Sequence, residues 1–154
     1  MPTTCRIVPV EPVLLAVAEA ELDRREIAPN IRRLFDVVYT WLKTAPVKQS
    51  GHNYALYDKG RQRDLLVRVG FPVSGAFADG ASVKSFELAP GRAAHAVHVG
   101  PYSELHRTYG ELHSWCRSEG LKPASQSWEV YGDWHEDLSR LETGLYLRLA
   151  ESSR

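Results

Sequence analysis

Cysteine is scarce in this chain: only Cys5 and Cys116 occur among 154 residues, and they are far apart. Two distant thiols make no disulfide framework, so they read as the reduced thiols of a cytoplasmic protein. Net charge is lacking too, since Lys plus Arg and Asp plus Glu both count 19. Binding a phosphate backbone or an anionic membrane demands a basic surplus on some face, so direct nucleic-acid or membrane binding is not expected. No apolar run approaches a membrane span of about 18 residues, and no charged start precedes a long apolar core.

Phosphate-cradling glycine loops are missing as well: none follows a strand and opens a helix, which argues against a nucleotide cofactor. No serine sits in a recognisable nucleophile elbow, and Cys116, on the apolar stripe of a predicted helix, is a poor nucleophile. The six histidines do not make a metal site. His95 and His98 are three apart on a strand and face opposite sides, while His106 and His113 are two helical turns apart, roughly 10 Å. Neither a metal nor any cofactor is expected, and any chemistry would be acid–base or stabilising.

What is present is a soluble, globular composition, 44% apolar and 25% charged, long enough for one domain with a real core. Val13 to Val17 suits a buried strand, weakening towards Leu22. Asp23 to Glu26 breaks the pattern. Ile31, Leu34, Phe35, Val38 and Leu42 recur at helical spacing, with Pro29 in the first turn and Pro46 closing the segment. Asn53 to Asp58 and Leu65 to Val69 form a hairpin, Val73 to Ala81 a glycine-containing connection, and Val83 to Leu88 a further strand. Ala93 to Val99 begins the pattern again. Tyr102, Leu105, Tyr109, Leu112 and Cys116 make one stripe of a second helix, which Gly120 and Leu121 stop. Trp128 to Gly132 and Leu145 to Leu149 supply two more strands.

An internal repeat follows from this order. Phe35 and Trp41 lie 74 residues before Tyr109 and Trp115, and the same offset carries Leu56-Tyr57 onto Val130-Tyr131. Past the next turn the offset grows to 80, matching Leu65, Val67 and Val69 with Leu145, Leu147 and Leu149. The fold class expected is α+β: two strand-helix-strand-strand (βαββ) units, about 5–72 and 83–150, forming an antiparallel sheet with two helices on one face and a ligand groove on the other. Helix-facing positions would be Leu56, Val67, Val69, Val130, Leu147 and Leu149. Groove-facing ones would be Ala55, Tyr57, Leu66, Arg68, Glu129, Tyr131 and Tyr146.

Ser127-Trp128-Glu129-Val130-Tyr131 carries the functional expectation. Aromatic and β-branched residues favour a strand and Glu does not, so the acid breaks the local rule. A carboxylate among phenols suits a small-molecule pocket: the rings give area and hold a cation, and the acid fixes orientation or charge. Partial desolvation would raise its pKa, making it a base or acid near neutral pH. Ala55 occupies the equivalent place in the first repeat, so one acid is expected, not two. Trp41, Trp115 and Tyr109 read as core residues, Trp128 as packed under a helix, and Trp134 as overhanging the groove.

Gly51 to Asp58, Leu88 to Tyr102, the helix from Ser103 to Gly120 with Tyr109 and Trp115, and Trp128-Glu129-Val130-Tyr131 together resemble the GyrI-like small-molecule-binding domain, also found as the effector-binding module of AraC-type and MerR-type regulators. The resemblance runs from about Val13 to the end and implies a duplicated fold with a pocket between halves. It also implies that Glu129 meets lipophilic, often cationic, aromatic ligands. Stand-alone relatives include proteins that sequester or hydrolyse cyclopropanoid DNA-alkylating compounds, a self-resistance role, and inhibitors of DNA gyrase. The family's Thr-Glu-hydrophobic ending is altered here: Thr143 is followed by Gly144, and Arg148 stands near the family's Pro. Only about a dozen residues precede the first expected strand, so no helix-turn-helix segment is expected. Glu129 and Tyr131 are the catalytic candidates; Tyr57, Glu129, Tyr131, Tyr146, Arg68 and Ala55 are the ligand-binding candidates.

Overall fold

The structure, a computed structural model, describes residues 3–151. In chain order its elements are β1 (Cys5–Val10), β2 (Val13–Leu22), α1 (Arg24–Leu42), β3 (Tyr54–Lys59), β4 (Leu65–Pro72), β5 (Lys84–Leu88), β6 (Gly91–Val99), α2 (Leu105–Ser118), β7 (Pro123–Tyr131) and β8 (Glu142–Leu149). Short 3-10 turns at Tyr102–Glu104 and Leu138–Arg140 precede α2 and β8. The fold is α+β and antiparallel, with one βαββ motif from β2 to β4 and a second from β6 to β8.

The chain divides into two compact units: Glu11–Ala89, and the residues up to Val10 together with those from Pro90 onward. In the first the strands run β3-β4-β2-β5, and in the second β7-β8-β6-β1. Each βαββ motif therefore carries a fourth strand on its outer side. The two fourth strands are exchanged: β1 leads straight into β2 yet pairs with β6, and β5 leads straight into β6 yet pairs with β2. The sequence reading assigned no strand at Cys5–Val10, where Pro9 and the mixed pattern CRIVPV hide an edge strand.

Helix α1 begins at Arg24, seven residues ahead of Ile31, the first of its periodic apolar positions. Asp23 accepts from the backbone N–H of Arg25 at 2.8 Å, and Glu26 reaches back to the N–H of Asp23 at 2.9 Å. This reciprocal cap turns a break in hydrophobicity into a helix start. At the end of α2, Gly120 takes φ +68°, and the N–H groups of Gly120 and Leu121 donate to the carbonyls of Arg117 and Cys116. Glycine enters that left-handed conformation without a Cβ penalty, which is why the helix stops there.

Both helices pack on one face of their own strands. Leu112 and Cys116 of α2 join Ala94 and Ala96 of β6 and Leu145, Leu147 and Leu149 of β8 in a single cluster. In the other unit α1 buries Leu34 and Val38, and Tyr39 lays its ring 5.3 Å from Phe71 of β4.

The register then fixes which residues share the helix-covered face. Glu129 lies opposite Leu145, Tyr131 opposite Thr143 and Ser127 opposite Leu147, so Glu129 and Tyr131 look towards α2. In the other unit Ala55 lies opposite Val69 and Tyr57 opposite Val67, placing both towards α1. Leu56 pairs with Arg68, and Val130 and Trp128 pair with Gly144 and Tyr146, all on the far faces. This corrects the sequence assignment. Val67, Val69, Leu147 and Leu149 do face the helices, but Leu56 and Val130 do not, and Glu129, Tyr131, Ala55 and Tyr57 do. The physical reason is a one-residue slip across each hairpin, which exchanges the two faces of a strand. The same slip occurs in both units: Ala55 and Tyr57 face α1 as Glu129 and Tyr131 face α2.

Candidate functional site

Glu129 is 5% exposed, and both of its oxygens are held. Tyr131, two residues on along β7, donates its hydroxyl to Oε1 at 2.6 Å. Tyr109, from the facing side of α2, donates to Oε2 at 2.7 Å. Strand alternation supplies the first phenol and helix packing the second, so the acid is gripped from two directions. Tyr102 extends the aromatic wall, meeting the Tyr131 ring edge-on at 5.4 Å. An ionised carboxylate is acceptor-only and takes two phenol donors naturally.

The equivalent position in the other unit shows that the fold does not need this acid. Ala55 stands there, fully buried. A buried carboxylate is costly where an alanine packs equally well.

Tyr57 is half-buried on the α1 face of β3, at the place equivalent to Tyr131. Tyr146 is not brought to Glu129. It lies on the far face of β8, stacked between His95 at 4.3 Å and Trp128 at 5.3 Å, with the Arg148 guanidinium 5.2 Å from the Trp128 ring. Trp128, expected beneath a helix, is buried in that stack instead. Gly144 makes the stack fit, because a Cβ there would come within 3.2 Å of Tyr146 and 3.4 Å of His95. Arg68 lies on the far face of β4, bound to Asp58 at 2.7 Å and Glu19 at 3.2 Å and seated over the Phe86 ring at 4.2 Å. Trp134 is 66% exposed.

The residues that sequence reasoning missed are Tyr109 and Tyr102. Both were read on one helical stripe, and the signal that separates them from core was their type: phenols at i and i+7 beside a strand carrying a lone acid.

Burial pushes the Tyr102 and Tyr146 phenols up, with Arg6 partly opposing the rise at Tyr146. His95 is pushed down by burial and by the charge of Arg6, against the opposing effect of its bond to Leu145. The Nδ1–H of that imidazole donates to the Leu145 carbonyl at 3.0 Å. A cavity of about 510 Å³ in the same unit opens elsewhere, among His98, Val99, Glu104, Arg107 and Glu111. Among its polar groups, Glu104 pairs with Arg107 at 3.0 Å, and His98 is held between Thr108 and the Pro101 carbonyl. Glu129 does not line it. Among the described residues no group of three or more His, Cys, Asp or Glu side chains is placed to hold a metal ion. No helix of these residues is long and apolar enough to cross a membrane.

The profile of the GyrI-like small molecule binding domain matches residues 3–150. The chain belongs to the GyrI-like family. No curated protein matches it. Solved structures that share the GyrI-like fold with it include the C-terminal domain of EcmrR, with TM-score 0.85, 14% identity, and 99% of this chain and 100% of that one covered. SAV2435 bound to tetraphenylphosphonium superimposes with TM-score 0.76 at 12% identity, covering 96% and 94%. A hydrolase from Listeria innocua superimposes with TM-score 0.63 at 17% identity, covering 97% and 94%. As a GyrI-like domain this chain binds a small molecule, and the Tyr109–Glu129–Tyr131 group is the candidate place for it.

Proposed function

We propose that this GyrI-like domain binds a lipophilic aromatic molecule, cationic or polar at one end, with Glu129 as the anchor for that end. The observation that carries the reading is the grip on Glu129: a buried acid the fold does not require, held at both oxygens by phenols of two different elements. Aromatic faces at Tyr102 and Tyr131 supply the stacking area, and a carboxylate in a partly dehydrated site attracts a cation more strongly than one in water. The tetraphenylphosphonium held by the similarly folded SAV2435 is a ligand of this chemistry.

A second reading is favoured by the same contacts. A carboxylate touching two hydroxyls is also an acid–base pair: Glu129 takes a proton from water as it attacks a strained ring, and Tyr131 or Tyr109 gives a proton or hydrogen bond to the oxygen that gains charge. The hydrolase among the similar folds supports testing it. In this reading the protein protects its cell by opening cyclopropanoid electrophiles, whereas in the first it sequesters them.

Glu129→Gln decides between the two, since it keeps shape and removes both charge and basicity. Titration with tetraphenylphosphonium should show about tenfold weaker binding in the variant, equivalent to roughly 1.4 kcal/mol. Mass spectrometry of a cyclopropane electrophile after incubation should show ring-opened product with wild type and none with the variant if there is turnover. An unchanged compound in both samples leaves the binder reading alone, and equal phosphonium affinity in both proteins removes Glu129 as the anchor.

A further inference from the structure

Thr143 of β8 is fully buried, and its hydroxyl has no hydrogen-bond partner among the described residues. An unpaired buried hydroxyl is destabilising, and valine, nearly the same shape without the polar atom, avoids that penalty. Its cross-strand neighbours on the α2 face are Tyr131 and His98. His98 is saturated: its Nε2–H donates to the Pro101 carbonyl at 3.0 Å, and its Nδ1 accepts from the Thr108 hydroxyl at 2.6 Å. Tyr131 gives its own proton to Glu129. Neither neighbour therefore serves Thr143, which stands beside the ring that grips the acid, at the separation of about 5 Å between β-carbons that direct pairing imposes. Above it Tyr131 is half-buried, and Tyr102, packed against that ring, is 39% exposed.

We infer that Thr143 is a specificity-determining residue of the Glu129 site, its hydroxyl bonding a heteroatom of the ligand once the Tyr131 and Tyr102 rings turn aside. The inference rests on the ligand-binding reading of Glu129 and narrows the ligand class: a lipophilic molecule with a hydroxyl or carbonyl in addition to its cationic or polar end. Glu129 selects for charge, and Thr143 selects for a hydrogen-bonding atom about one strand spacing away.

A matched pair of probes tests this: tetraphenylphosphonium, which has no hydrogen-bonding atom, and (4-hydroxyphenyl)triphenylphosphonium, which differs by one hydroxyl. Calorimetric titration of the whole protein should show wild type preferring the hydroxylated probe about fivefold, the effect of one modest hydrogen bond. Thr143→Val should abolish the preference while holding tetraphenylphosphonium affinity within about twofold, and Thr143→Ser should keep the preference. Equal wild-type affinities, or a preference that survives in Thr143→Val while Glu129→Gln weakens both probes, overturn the role of Thr143 and leave the Glu129 reading standing. If neither probe binds wild type, or Glu129→Gln changes nothing, the reading of Glu129 falls and this inference with it. Thr143→Val should also melt no lower than wild type; a lower melting point shows the hydroxyl to be structural and overturns the assignment.

Discussion

Removing one phenol at a time measures how strongly Glu129 is held. Tyr109→Phe and Tyr131→Phe each delete a single hydroxyl from a 2.7 or 2.6 Å bond to a carboxylate that is 5% exposed, and neither changes ring packing. A lost hydrogen bond to a buried charged group costs about 1.5–3 kcal/mol. For a domain of this size 1 kcal/mol moves the melting temperature by about 2–4 °C, so each variant should melt about 3–12 °C lower. Glu129→Gln supplies the control. Its amide offers one acceptor oxygen and one donor NH₂, so one phenol must reverse its role and neither bond is charge-assisted. In that background either Tyr→Phe change should cost only about 0.5–1.5 kcal/mol, giving a coupling of about 1 kcal/mol or more in each double-mutant cycle. Urea unfolding of the six proteins at neutral pH, followed by tryptophan fluorescence, reads these differences. If both Phe variants fall within 0.5 kcal/mol of wild type and neither couples to Glu129, the phenols do not hold the acid and the site loses its basis.

Four further outcomes are expected. Gly70→Ala should destabilise by about 3 kcal/mol or more, because a Cβ there overlaps the Ala16 carbonyl, whose carbon lies only 2.8 Å away on β2; a loss under 1 kcal/mol in chemical denaturation contradicts so close a strand approach. Arg68→Met should cost about 1 kcal/mol by removing the guanidinium that Asp58 and Glu19 share, Glu19 keeping Lys84 at 3.0 Å, while leaving phosphonium affinity unchanged, and weakened binding in calorimetry would return Arg68 to the ligand site. Because the folded state holds His95 below its ordinary 6.5, the unfolded chain binds the proton first, so its contribution is complete above about pH 6.5 and is lost as pH falls. His95→Asn, which keeps a donor for Leu145, should flatten the melting-temperature profile between pH 7 and 5 relative to wild type; identical profiles rule out His95 as its source. Gly144→Val should disturb the stack of Tyr146 on His95 and Trp128, visible as a changed near-ultraviolet dichroism, and an unaltered spectrum contradicts the tight fit.

The βαββ duplication was legible because it depends on order: helical spacing from Ile31 to Leu42 and from Tyr102 to Cys116, each followed by two strand-like runs. The asymmetry between Ala55 and Glu129 was legible for the same reason, as a comparison of equivalent positions. Facing was not. Which side of β7 looks at α2 depends on its register with β8, and ten residues intervene between those strands, 132–141, so no tight-turn rule sets that register. Tyr146 and Arg68 were accordingly placed with Glu129 and the phenols, although pairing puts them on far faces. Tyr109 was assigned to the core because a phenol on an apolar stripe packs like phenylalanine, and only the strand beneath it reveals where its hydroxyl goes. The strand at Cys5–Val10 went unread since its partner lies some eighty residues on, beyond any local pattern.

That exchange of outer strands ties the molecule's beginning to its end. A ribosome releases β1 long before β6 exists, so the segment must wait, unpaired, for most of synthesis, and the unit carrying Glu129 closes last. Severing the polypeptide near residue 90 would not liberate two self-sufficient pieces, because β1 would depart with the first piece and leave the second without its border strand. Joining the termini by a linker and opening the ring between β1 and β2 would instead return that strand to the half it completes.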